Sequence, residues 1–390
     1  MDLVAARYLT SRDGLAALAA LPPTLGSLSP NALVAELRRD HGPAEASALA
    51  TQVTLRAAAS GRWGELPIPL FTRDGVEMMT HPLLSRRRAG RLLALGLPVV
   101  DLTCGLGGDS QAISAAGLPL LAVERDAVTA TLASHNLGGR VVIGDALSPP
   151  ADISPAAVFV DPARRSGNLR RFDPGAFSPP LDVAFAIAAS ARAGVVKAPP
   201  GLEHAVVPRD GEMEFVQLGR SLREAAVWFG AGAEPGLRRA VLLPAGVEID
   251  SRAPEAPPEC VEPGPFLIDP ESCVTRAGLV RHLGAAMSAR MVDPQLAYLS
   301  GDSASAHPMA ATFEILDRLP FSLARLRDLL RARHWRPDEI RRRAFPIEPD
   351  ELRRLLGRME GDPVTLICTT IAGQRTIFLG RRIDRNGEDL

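Results

Sequence analysis

From residue 97 to residue 200 the sequence alternates short apolar runs with stretches of helical periodicity, and nothing else in it restricts the fold as much. Strand-like runs fall at 98–102, 119–124, 140–143, 157–161 and 194–197, with helical segments at 109–116, 127–136 and 181–191 between them. Strands that are apolar at nearly every position need cover on both faces, and intervening helices supply it. The expected fold class is therefore α/β, with a Rossmann-like, doubly wound, mostly parallel sheet. Residues 214–218 and 240–243 read as further edge strands.

Around this sheet the pattern changes. Residues 1–85 read as an N-terminal helical region: Leu15, Leu18 and Leu21 share a helix face, and Pro30 to Leu33 marks a capped helix start. Residues 82–94, with Arg86, Arg87, Arg88 and Arg91, read as a basic helix leading into a sheet domain at 86–248. A proline-rich linker is expected at 249–265, from Pro254, Pro257, Pro258, Pro263 and Pro265. A small ferredoxin-like connector at 266–312 precedes an α+β domain at 313–390, where a helix at 321–333 and a hairpin around Ala372-Gly373 are expected.

Composition narrows the function classes. Forty-four basic residues against 45 acidic ones exclude a generally basic nucleic-acid binder, so any polyanion site must be a local patch. Lysine occurs once, at Lys197, beside 43 arginines, which makes that one ammonium worth following. Cys104, Cys260, Cys273 and Cys368 form no C-x-x-C pair and have no histidine at zinc spacing, so neither a metal site nor a disulfide framework is expected. No apolar run approaches the ~18 residues of a spanning helix. A cytoplasmic protein without membrane partners is the expectation.

The chemistry concentrates at the strand ends. The run Val99-Val100-Asp101-Leu102-Thr103-Cys104-Gly105-Leu106-Gly107-Gly108-Asp109-Ser110 ends a strand, turns on glycines and opens a helix, with Asp109 as the expected N-cap. A dinucleotide fingerprint wants a third glycine where Ser110 stands, and Asp101 would sit badly beside a pyrophosphate. An acid there suits a cationic, phosphate-free ligand, and S-adenosylmethionine is one. Glu124 ends the second strand, followed by Arg125, where a carboxylate can accept from both ribose hydroxyls. Asp145-Ala146 follows the third strand, within reach of an adenine amino group, and Asp161-Pro162 follows the fourth, beside the reacting methyl. The expected cofactor residues are thus Asp101, Thr103, Gly105, Gly107, Gly108, Asp109, Glu124, Arg125, Asp145, Ala146 and Asp161.

With these residues in view, 97–200 resembles a class I S-adenosylmethionine-dependent methyltransferase. The 101–109 loop and the 124–136 segment are similar to trimethylguanosine-synthase-type RNA methyltransferases, and Asp161-Pro162-Ala163-Arg164 to the fourth motif of the RNA 5-methyluridine enzymes. Together with Glu212 to Val216 and the segment 321–381, the chain resembles bacterial methyltransferases that carry a C-terminal THUMP-like domain. The resemblance implies methyl transfer to RNA. Two departures shape that expectation. The 5-methyluridine enzymes place a cysteine nucleophile where Val196-Lys197-Ala198-Pro199-Pro200 stands here, so a covalent enzyme–base intermediate is not expected. Amino-directed enzymes follow the acid with Pro-Pro-aromatic, whereas here Ala163-Arg164-Arg165 stands in its place.

Asp161, Pro162 and Lys197 are the candidate catalytic residues, against a plainer reading of a strand-end cap and a surviving lysine codon. Arg164, Arg165 and Arg170, with Arg171, are candidate phosphate clamps, or a solvated basic loop. Phe172, Phe177, Trp228 and Phe229 are candidates for stacking a base or for the core. Residues 318–358 hold twelve arginines and six acids, with Arg341 and Arg342 as candidate RNA contacts and an internally salt-bridged helix as the plainer reading. The expected partner is rRNA or tRNA. A small-molecule or protein methyltransferase, and a non-catalytic binding module, stay open as alternatives.

Overall fold

The computed structural model describes residues 1–63, 68–164 and 174–383. By its internal contacts the chain forms two units, Met1–Glu212 with Ala225–Gly236, and Met213–Glu224 with Leu237–Leu390.

In the first unit, β1 (Val99–Asp101) pairs in parallel with β2 (Leu120–Glu124) on one side and with β4 (Ala157–Val160) on the other. β2 pairs in parallel with β3 (Val141–Ile143), and β4 with the strand Ala193–Ala198. The chain therefore winds outward from β1 in one direction, returns, and winds in the other. The reversal lies between β1 and β4, where ligands of such sheets bind beyond the strand ends. Buried Val99, Ala157, Phe159, Val195 and Trp228 form part of the core on one side of this sheet.

The strand Ser221–Gly230, which sequence reasoning missed, runs antiparallel to Ala193–Ala198 through residues 225–230. Its alanines, Ala225 and Ala226, carry little strand propensity, and only the neighbouring strand's register selects them.

The N-terminal residues form the helices Leu3–Thr10, Arg12–Ala20, Pro30–Leu37, Pro43–Trp63, Arg73–Met78 and Pro82–Leu95. Asp2, Ser11, Ser29 and Thr72 cap four of them by accepting from the first-turn N–H groups. Leu9, Leu33, Leu49 and Phe71 share one core with Leu106 of the glycine turn and Leu132 of the helix Ala127–Asn136. The helices expected as a separate region thus pack directly on the sheet's own helices.

Two buried amides fix this packing. Gln52 donates to the Phe71 carbonyl at 2.7 Å and accepts from the Phe71 N–H at 2.9 Å. Asn136 accepts from the Leu70 N–H at 3.1 Å and donates to the carbonyls of Leu70 and Leu106 at 3.0 and 2.9 Å.

In the second unit, Glu212–Leu218 pairs in parallel with Arg238–Leu243, which pairs antiparallel with Val247–Asp250. A second sheet orders Arg290–Met291, Leu299–Gly301, Phe266–Pro270, Ala310–Pro320, Gln374–Arg382, Asp362–Ile371 and Trp335–Arg343. Phe266–Pro270 pairs with Ala310–Pro320, so the expected connector and the expected C-terminal domain contribute to one sheet. The helices Leu323–Ala332 and Pro349–Leu356 cover one face through Leu326, Leu330, Leu352 and Leu356. The arginine-dense segment 335–343 is an edge strand, where a register shift after Pro337 accommodates the missing N–H. Residues 251–265 hold no helix or strand, yet backbone bonds such as Ala256 N–H to the Arg281 carbonyl tie them down.

Asn136→Ala leaves one N–H and two carbonyls without their buried partner. It is expected to destabilise the protein by about 3 kcal/mol, read as a lower urea midpoint for the first unit's transition.

Candidate active site

The site begins where β1 stops. Asp101 is fully buried, and both of its oxygens turn into the following loop: the Thr103 N–H donates to Oδ1 at 3.1 Å and the Ser110 hydroxyl to Oδ2 at 2.6 Å. Asp101 therefore shapes the turn, whereas the sequence alone points to a carboxylate presented to the cofactor. Burial pushes its carboxyl up to about 7, against the lowering effect of these two hydrogen bonds.

The turn runs through Gly105 and Gly107, both with positive φ. Gly107, not Asp109, occupies the N-cap of the helix Gly108–Ala115, because φ of 97° there favours glycine. A Cβ at Gly107 would also lie 2.9 Å from Leu137. At Gly105 a Cβ would meet no described atom within 4 Å, so the space beside that backbone is open.

The next two strand ends border this opening. Glu124, half-buried, accepts from the Gly105 N–H at 3.0 Å and from the Asp126 N–H at 2.7 Å. A carboxylate has about four acceptor positions, so it retains capacity for hydroxyls. Asp145 accepts from the Leu147 N–H at 2.9 Å, with Ala146 buried beside it. Ile143 and Leu147 flank Asp145 with exposed apolar surface, which the sequence reading had not singled out. Arg125 is exposed on the far side of Glu124 in sequence. Half-exposed acceptor carboxylates, an open glycine backbone and apolar flanks form a lining that fits the amine, ribose and adenine of S-adenosylmethionine and disfavours a pyrophosphate.

At the fourth strand end the Asp161 N–H donates to Thr103 Oγ1 at 2.6 Å, which locks this residue to the glycine loop. Val160 pairs with Val196, so Asp161, just past β4, comes beside Lys197 near the end of the adjacent strand. The Lys197 ammonium donates to Asp161 Oδ2 and to Thr80 Oγ1, each at 2.7 Å. The Thr80 hydroxyl in turn donates to Asp109 Oδ2 at 2.7 Å, and Arg88 pairs with Asp109 Oδ1. Asp161 keeps 31% of its side chain exposed and Lys197 15%, whereas Arg88 is buried with its guanidinium 4.8 Å from the Phe159 ring centre. Pro162 is buried behind Asp161.

Asp109, expected against the cofactor, thus pairs internally. Burial pushes its carboxyl up, but Arg88, Lys197 and the hydroxyls of Thr80 and Ser85 together hold it below the usual carboxylate range. Thr80 and Arg88 were not legible as site residues. The one available hint was a basic helix whose arginines need not all face water.

Other expectations resolve differently. Phe177, Trp228 and Phe229 are buried in the core, not placed to stack a base. Arg165, Arg170, Arg171 and Phe172 lie outside the described residues. Arg164 ends the two-residue strand Ala163–Arg164, opposite Phe177–Ser178. Burial pushes the Cys104 thiol far up, with Asp101 and Glu124 adding to it, so it is no nucleophile. Arg341 donates to Asp269 at 2.5 Å and to Glu339 at 3.0 Å; Arg342 pairs with Glu348 at 2.8 Å. These two candidate RNA contacts are committed to internal carboxylates, Arg341 to one 72 residues away and one two residues away, Arg342 to one six residues away. Among the described residues no acid, histidine and cysteine cluster could hold a metal, and no helix is long and apolar enough to cross a membrane.

Asp101 gives a pH signature. Its proton leaves near pH 7 in the folded protein but near pH ~3.9 in an unfolded chain. Between those values the unfolded chain binds fewer protons, so stability contributed by the neutral carboxyl falls as pH rises from about 4 to about 7. Asp101→Asn is expected to flatten that slope in urea titrations across the same window.

Comparison with known proteins shows the family. A THUMP domain-like family model matches residues 310–382, and a domain of unknown function, DUF8688, matches residues 2–59. Two uncharacterized S-adenosylmethionine-dependent methyltransferases of Mycobacterium tuberculosis, from strains CDC 1551 and H37Rv, are each 35% identical over 335 residues. Each alignment covers 81% of this chain and 90% of the relative. A solved structure from Porphyromonas gingivalis W83, described as that of a methyltransferase, superposes with a TM-score of 0.75 at 22% identity over 98% of both chains, which establishes the shared fold. The chain is a class I S-adenosylmethionine-dependent methyltransferase with a THUMP-like domain at its C-terminal end, and S-adenosylmethionine is its cofactor.

Proposed function

We propose that the protein methylates a base of structured RNA, rRNA or tRNA, by direct transfer. S-adenosylmethionine, when bound, supplies a sulfonium-linked methyl group open to in-line attack. Glu124 and Asp145 would hold it by its ribose and adenine, and the open backbone at Gly105 admits it. Thr103 would act through the loop, which it ties to Asp161.

Asp161 is the residue that meets the acceptor. Its Oδ2 is occupied by Lys197, and Oδ1 has no partner among the described residues. That oxygen accepts a hydrogen bond from the acceptor and aims its lone pair along the attack line. Orientation of this kind is worth on the order of 7 kcal/mol or more when geometry is near ideal. The acceptor's new bond to carbon forms as the carbon–sulfur bond breaks, and its surplus proton leaves to solvent. No protein thiol is placed for a covalent route, since Cys104 is buried and its proton is held tightly.

The RNA reading is carried by one observation in the THUMP-like region. Arg325 and Arg331 on the helix Leu323–Ala332 are exposed, and their side chains have no carboxylate partner among the described residues. Exposed guanidinium groups without an internal carboxylate are available to phosphates, whereas Arg341 and Arg342 are not.

Two outcomes follow for total RNA from a strain lacking the gene. Asp161→Ala is expected to lower label transfer from S-adenosylmethionine on the order of a hundredfold while retaining cofactor binding. Replacing Arg325 and Arg331 by Gln is expected to reduce the salt slope of RNA binding by about 2, one per phosphate contact. A wild-type affinity that does not respond to salt would favour a small-molecule or protein acceptor.

A further inference from the structure

We propose that Thr80, from the N-terminal helical region, is a positioning residue for methyl transfer: it fixes the Lys197 ammonium on one oxygen of Asp161. The inference rests on Asp161 orienting the acceptor, as set out above, and adds the group that holds Asp161 in place.

A lysine head on four methylenes has many rotamers, and a single ion pair does not select one of them. Among the described residues the ammonium is anchored on two different elements, at Asp161 Oδ2 after β4 and at Thr80 Oγ1 in the loop after the helix Arg73–Met78. The direction of the second anchor is set by bond counting. A threonine hydroxyl has one proton, and Thr80 gives it to Asp109 Oδ2. Its lone pairs therefore face Lys197. Asp109 cannot turn away, because Arg88, whose guanidinium lies over the Phe159 ring, holds its other oxygen.

The series guanidinium, carboxylate, hydroxyl, ammonium, carboxylate runs from the buried Arg88 to the half-exposed Asp161. Two cations and two anions balance within it, so no link leaves an uncompensated buried charge.

The same geometry explains why one lysine persists among 43 arginines. An ammonium binds one carboxylate oxygen as a point charge, which leaves Asp161 Oδ1 to the acceptor. A guanidinium pairs with carboxylates as a planar fork and would occupy both oxygens. Lys197→Arg keeps the charge but is expected to block the acceptor.

The solitary lysine also makes the test clean. With lysine labelled by 15N and 13C, the whole chain gives one side-chain ammonium signal, which needs no assignment. In the wild type, Nζ protons held by two acceptors exchange slowly with water. Thr80→Val keeps the shape, removes the hydroxyl, and is expected to speed that exchange about tenfold or more, while Thr80→Ser restores it.

In the transfer assay with total RNA, Thr80→Val should lower kcat about tenfold with KM for S-adenosylmethionine unchanged, and Thr80→Ser should recover most of the loss. Lys197→Arg should lose transfer while retaining cofactor binding. Unchanged ammonium exchange in a folded Thr80→Val protein overturns the proposal. So does equal loss in the Val and Ser variants, or a fall in cofactor affinity that accounts for the whole effect. If wild-type protein labels no RNA, the RNA reading fails, and the ammonium exchange still decides whether Thr80 fixes Lys197.

Discussion

The loop from Asp101 to Ser110 hydrogen-bonds to the ends of both strands that flank β1, and the candidate site depends on that double attachment. β1 is three residues long and paired on both edges, so the chain must turn at once on leaving it. Within the turn the Gly105 N–H holds Glu124 at the end of β2, and Thr103 holds the Asp161 backbone at the end of β4. Asp101 stabilises the turn from inside, through Thr103 and Ser110. One short segment therefore sets the separation of Glu124 and Asp161, the acids proposed to meet cofactor and acceptor. From behind, Asn136 joins its Leu106 carbonyl to Leu70, so the N-terminal helices brace the same turn.

Charge is arranged in two layers at this end of the sheet. The outer layer, Glu124, Asp145 and Asp161, is at least partly accessible and negative, which suits a cationic ligand. The inner layer pairs each acid with a fixed donor: Asp101 with a serine and an amide, Asp109 with Arg88 and Thr80. Buried carboxylates without such partners would cost several kcal/mol. The inner layer thus permits a dense acidic site without undermining the fold.

The features legible in the sequence were those carried by neighbouring residues. Apolar runs with helices between them gave the sheet, and the 101–110 turn with an acid after each of four strands gave the cofactor. Features that depend on residues distant in sequence were illegible. Thr80 meets Lys197 across 117 positions, and nothing in the local sequence distinguishes that threonine from a cap. Asp109 looked like an N-cap because short acids favour that position; the positive φ of Gly107 moved the cap two residues back. Arg341 looked like a phosphate ligand until Asp269, 72 residues away, took it up. The strand Ser221–Gly230 carries alanines where strand formers were sought, and its partner supplies the register.

Titration calorimetry of S-adenosylmethionine into the wild-type protein and into Glu124→Ala bears most directly on the acid-lined strand ends. One cofactor per chain is expected for the wild type, with affinity at least about tenfold weaker once the Glu124 carboxylate is removed. Equal affinity in the two proteins would contradict the placement of the cofactor at the ends of β1 and β2.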